Sequence, residues 1–179
     1  FTIIGDAAGR AAVKVNKSIE TMEAKLASID DMLSEDYGKK FKFDTDLEAQ
    51  FYDIDEAIEK VETNIDQLSK KFNNMSSSDK GFEDTRRNLV QLYTEQIELY
   101  RKLELVDEEY TRKHSKDDSL LTLNAIDPKA VIGEVKTTIE TIVGDARRQL
   151  KDISVSTKTT KDGINIPIKL PSQAELVKT

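Results

Sequence analysis

Residues 47–72 read LEAQFYDIDEAIEKVETNIDQLSKKF. Apolar side chains fall at Leu47, Phe51, Ile54, Ile58, Val61, Ile65, Leu68 and Phe72, in alternating steps of four and three. That spacing draws one narrow stripe along an α-helix, the seam by which a helix packs on a partner helix. The outer positions hold Glu48, Asp53, Asp55, Glu56, Glu59, Glu62 and Asp66, a solvated acidic face. Just ahead, Thr45-Asp46-Leu47-Glu48 has the form of a capping box, in which hydroxyl and Glu each satisfy a free backbone donor.

The same seam occurs upstream, at Ala8, Ala12, Val15, Ile19, Met22, Leu26, Ile29 and Leu33. Asp6 is placed to cap this first helix. Gly38, after Tyr37, is placed to end it in a left-handed C-terminal position. The connection from Gly38 to Asp44 is short, which predicts an antiparallel hairpin of the two helices, each about 40 Å long. Residues 1–75 are thus expected to form an N-terminal heptad hairpin.

Downstream, Asn73-Asn74-Met75-Ser76-Ser77-Ser78-Asp79 is the strongest loop signal. A third helix is expected from Asp79 to Lys113, with Leu89, Leu92, Tyr93, Ile97, Tyr100, Leu103, Val106 and Tyr110 forming a wider stripe that suits more than one neighbour. His114 to Ile126 reads as a polar connector carrying a small apolar patch, Leu120-Leu121-Thr122-Leu123. Asp127-Pro128 then opens a fourth helix, Asp as cap and Pro in the first turn. Its seam is Ile132, Val135, Ile139, Ile142, Ala146, Leu150 and Ile153. Residues 76–153 make a second expected hairpin.

The last segment, 154–179, changes character. Ser154-Val155-Ser156-Thr157 is β-prone, Asp162-Gly163 is a tight-turn signal, and Ile164, Ile166, Ile168 and Leu170 alternate with polar residues and Pro167. A strand with one apolar face needs a cover, so this Ile stripe is expected to serve as an assembly strand. The predicted fold class is all-α: long antiparallel helical hairpins or a coiled-coil bundle, with a short C-terminal β-hairpin.

Composition agrees with thin helical architecture. Of 179 residues, 34% are charged and 37% apolar, less apolar content than a compact globule of this length usually has. There is no Cys, which excludes disulfides, Cys-based zinc sites and thiol catalysis. It also fits a reducing compartment, so a cytoplasmic location is expected. No apolar run approaches the roughly 20 residues that span a bilayer, and Phe1-Thr2-Ile3-Ile4-Gly5 is too short for an anchor or signal core. The net charge of −7 is unevenly spread: the acidic stretch 1–110 argues against wrapping nucleic acid, and residues 111–179 are at most mildly permissive.

Few residues suggest chemistry. The glycines form no phosphate-binding pattern. The single histidine, His114, stands in a polar connector, where a solvated role outweighs a catalytic one. Acidic pairs such as Asp30-Asp31 and Glu108-Glu109 point in different directions on a helix and are not cages. No metal or cofactor is expected. Lys39-Lys40-Phe41-Lys42-Phe43 could hold phosphates while the rings stack on bases; the alternative, which we favour, is that the rings plug a hairpin end and the lysines face water. Arg147 and Arg148, with Lys151, allow the same nucleic-acid reading, against interhelical salt bridges, the commoner use.

Some residues also suggest a family. Arg87-Asn88-Leu89-Val90-Gln91-Leu92, Gly133-Glu134-Val135-Lys136-Thr137-Thr138, Gln149-Leu150-Lys151-Asp152-Ile153 and above all Ile168-Lys169-Leu170-Pro171-Ser172-Gln173-Ala174-Glu175-Leu176-Val177-Lys178 resemble the small terminase subunit of T4-type tailed phages. The likeness covers residues 82–179, and the first 80 residues have no counterpart in it. It implies a ring-forming, non-catalytic subunit that helps a separate motor package viral DNA, in host cytoplasm or virion. The expected function is therefore a self-assembling structural subunit, with a homo-oligomer or another helical protein as partner. The alternative is a coiled-coil adaptor or secreted helical effector that docks a partner protein through its seams.

Overall fold

A computed structural model of the chain describes the backbone of residues 2–162 and the side chains of residues 7–154. Among the described residues six helices follow in order: α1 (Thr2–Met32), α2 (Glu35–Lys40), α3 (Leu47–Asn73), α4 (Phe82–Lys113), the one-turn α5 (Leu120–Leu123) and α6 (Pro128–Asp162), with a 3₁₀ turn at Lys116–Asp118 before α5. The fold is all-α, with no strand among the described residues.

α4 is the central element. It packs on α3 at one side and on α1 and α6 at the other, while α1 and α6 pack on each other. Contacts fix the directions. Arg87 donates to Ser18 and Arg101 to the Met32 carbonyl, so α1 and α4 advance together. Glu23 meets Arg147 and Asp30 meets Lys136, so α1 and α6 are antiparallel. Glu62 meets Gln96, and Phe72 stacks on Phe82, so α3 and α4 are antiparallel.

This pairing differs from the sequence expectation. The two strict seams, on α1 and α3, do not pack as a pair; α1 lies chiefly against α6 and α4, and α3 chiefly against α4. Heptad spacing says that a stripe will be covered, not by which helix. One contiguous core joins Val15, Met22 and Ile29 of α1, Phe51 and Ile58 of α3, Ile97, Leu103 and Val106 of α4, and Ile132, Ile139 and Val143 of α6. On α6 Val143 is fully buried along with Ile139 and Ala146, and the expected Ile142 is half-buried beside it. Leu26 is also half-buried, and Leu33 is exposed past the end of α1.

Several helix ends correct the expected ones. α1 begins at Thr2, so Asp6 lies inside it and is not its cap. α1 stops at Met32, and Gly38 is an interior residue of α2, not a left-handed terminus. A Cβ at Gly38 would stand 3.2 Å from a methyl of Leu105, so close packing on α4 accounts for the glycine. Asp46, rather than Thr45, caps α3 by accepting from Ala49 N–H at 3.0 Å. α4 starts at Phe82, three residues later than expected, after Gly81 in the left-handed region at φ 85°. The β-prone Ser154-Val155-Ser156-Thr157 is helical, because α6 runs on to Asp162; helix already nucleated by a packed seam overrides weak local propensity. The rest of the expected hairpin, with Ile164, Ile166, Ile168 and Leu170, lies outside the described residues.

Candidate interaction surfaces

At one end of the bundle the chain crosses from α1 to α3 as a strap. Ser34 caps α2 by accepting from Tyr37 N–H at 3.2 Å. The Arg101 guanidinium reaches across from α4 and donates to the carbonyls of Met32 at 2.9 Å and Ser34 at 3.3 Å. A cation thus covers carbonyls that the end of α1 leaves free. Tyr37 donates to Glu98 at 3.3 Å, and burial, then the Glu98 charge, push its hydroxyl pKa up to about 12. Nothing in the sequence spacing marked Arg101 for this work.

The Lys-Phe loop belongs to this strap. Phe41 packs half-buried against the core and meets Phe43 edge-to-face with centroids 5.1 Å apart. Lys39, Lys40 and Lys42 are exposed, but they diverge. Lys40 and Lys42 line a shallow cavity with Lys102, Asp31 and Asp36, whereas Lys39 lines another with Arg101, Arg112, Glu108 and Glu109. The three lysines therefore do not form one continuous stripe. Arg147 pairs with Glu23 of α1, and Arg148 with Asp145 one turn back. Both act within the chain.

Behind the strap, Asp107 on α4 is buried and accepts from the Ser119 hydroxyl at 2.9 Å, Leu120 N–H at 2.7 Å and Leu121 N–H at 3.3 Å. It caps α5 from another helix and seats Leu120 in the core. His114 is exposed, stacks on Tyr110 with centroids 4.2 Å apart, and shares a hydrogen bond between its Nδ1 and the Tyr110 carbonyl at 2.9 Å. Among the described residues no group of three or more Asp, Glu or His side chains is placed to hold a metal ion. No described helix is long and apolar enough to cross a membrane.

The opposite end is more open. α3 buries Leu47, Phe51, Ile54 and Ile58, and no residue from Val61 onward. Val61, Ile65, Leu68 and Phe72 are half-buried, and none joins the contiguous core or the apolar side chains packed on it. The Phe72–Phe82 stack and polar contacts with α4 hold this half of α3 in place. Glu62 accepts from Tyr100 at 2.8 Å and Gln96 at 2.9 Å, and burial followed by the Glu62 contact raises the Tyr100 hydroxyl pKa. Nearby, Arg86 is 3% exposed, lies 4.7 Å over the Phe82 ring, donates to Gln149 and stands 3.3 Å from Glu83. The Arg86–Glu83 contact is a charge contact without hydrogen-bond alignment, since the facing Nη1 and Oε1 have no hydrogen-bond partner. Desolvation lowers the Arg86 pKa against the pull of Glu83.

Compared with protein-family models, curated proteins and solved structures, the chain finds no match in any of the three.

Proposed function

We propose that the chain is a non-catalytic, self-assembling structural subunit, and that the second half of α3 is one of its joints. The observation that supports this is the seam Val61, Ile65, Leu68 and Phe72, regular in heptad spacing yet half-buried and outside the core. Four such side chains side by side form an apolar stripe of the kind that a further helix covers. The terminase resemblance gives this reading one specific form, a ring serving DNA packaging.

Light scattering of the purified chain at increasing concentration tests it. The expected mass is a whole-number multiple of the chain. Leu68→Asp should lower the assembled mass while circular dichroism and the unfolding transition keep their helical, cooperative form. A monodisperse monomer at high concentration would remove the proposal, and a monomer that gains mass only with another protein would replace it with the adaptor reading.

A further inference from the structure

We infer that two exposed patches at opposite ends of the bundle are the two halves of a head-to-tail contact between copies of this chain. The first patch is on α1. Val13 is 68% exposed, and Arg10, Lys14 and Lys17 surround it on the same helix face. A groove of about 750 Å³ opens beside these cations, between α1 and the start of α4, and adds Lys80. The second patch is on α3. Tyr52 is 38% exposed, and Glu48, Glu56 and Glu59, at spacings of four, four and seven, share its face. Asn124 donates to the Tyr52 hydroxyl at 3.1 Å, which brings Leu123, 75% exposed, next to it.

Each patch is an apolar spot with a charged rim, and the rims have opposite sign. That is the anatomy of a protein interface, with a desolvated centre inside a ring of polar residues. The two patches cannot meet within one molecule. Phe72 and Phe82 mark the open end, where the α1 patch lies. Tyr52 is twenty residues of α3 away from Phe72, about 30 Å along the bundle.

Arg10 to Lys17 covers about 10 Å of helix and fits within the acidic run from Glu48 to Glu59, about 16 Å. The intrachain pair Glu56–Lys60, at 3.5 Å between exposed side chains, is too weak to hold the acidic rim back. A nucleic-acid backbone fits the basic patch less well, because it brings no apolar group to cover Val13. A second copy of the chain brings the complementary acid face itself. A contact between two different patches is heterologous, so it propagates and closes into a ring when the rotation per subunit allows.

This inference rests on the self-assembling reading but uses surfaces other than the second half of α3. Its test is charge reversal in the full chain, read by analytical ultracentrifugation. Lys14→Glu with Lys17→Glu, and separately Glu56→Lys with Glu59→Lys, should each weaken assembly at least about tenfold with unchanged melting, since like charges then face each other across the contact. Mixing the two variants should restore association as an alternating pair, and rising salt should weaken the wild-type contact. Assembly indifferent to both reversals would overturn the inference and leave self-assembly through α3 standing. Restoration failing on mixing would also overturn it. So would a DNA duplex that binds the wild-type monomer and is lost only with the α1 reversal. A chain that stays monomeric would remove both readings together.

Discussion

The two halves of α3 carry the same heptad pattern and the same kinds of side chain, yet they have different surroundings. Leu47, Phe51, Ile54 and Ile58 are buried, whereas Val61, Ile65, Leu68 and Phe72 are half-buried. The cause is the neighbourhood. At the first half, the strap brings Phe41 and the α5 turn brings Leu120 to a core that α1, α4 and α6 already fill. At the second half, α3 faces α4 without those additions. A stripe therefore reports that a helix will seek cover, and the connections decide how much cover it finds.

The largest expected difference comes from placing a charge in each half. Ile58→Asp puts a carboxylate without a partner into the core, at a cost of several kcal/mol, a large part of a typical domain's stability. We expect the cooperative transition in urea to be lost or nearly so, while Leu68→Asp leaves it in place. Equal losses from both would show that the second half is as deeply packed as the first.

A gentler version removes a ring from each half. Phe51→Ala should cost about 3–5 kcal/mol, the usual range for emptying a closed core site. Phe72→Ala should cost roughly 1–2 kcal/mol, since the ring lies outside the contiguous core and loses mainly its stacking on Phe82. Urea midpoints at constant m-value measure both. A Phe72→Ala loss equal to that of Phe51→Ala would break the contrast.

How much of this was legible in the sequence follows from the range of each signal. Periodicity is local, so α3, α4 and the start of α6 could be read from apolar spacing, and Asp127-Pro128 marked a helix start correctly. The partner of each seam was not legible, because α1 and α3 have interchangeable stripes, and only the strap's path across α4 separates them. Arg101 and Asp107 were missed for a related reason. Each acts on backbone groups distant in sequence, and a charge among other charges on a helix looks like solvated surface until the strap or α5 is laid over it. The Lys-Phe loop was legible as a cluster, but the divergence of Lys39 from Lys40 and Lys42 is a property of the bend. The exposed spots at Val13 and Tyr52 could have been found as apolar residues on otherwise charged faces.

The crowding at the strap end reaches charged groups too, and this gives the smallest prediction. Glu104 is 12% exposed at its side chain, beside Arg101 at 3.4 Å. Burial raises its pKa above the ordinary carboxylate value, and the Arg101 charge only partly offsets that. The folded chain therefore holds this proton more tightly than the unfolded chain. Wherever that is so, stability falls as pH rises, from the unfolded pKa up through the folded one. Below that window both states are protonated and the group contributes no pH dependence. Above it the penalty is complete. Glu104→Gln keeps an oxygen for Arg101 and removes the titration. We expect the variant's melting temperature, relative to wild type, to rise across this window and then stay level. Scanning calorimetry from acid to neutral pH gives the difference curve. A relative gain that shrinks as pH rises would mean that Arg101, not burial, dominates at Glu104, and that the strap end is wetter around its charges than its apolar packing suggests.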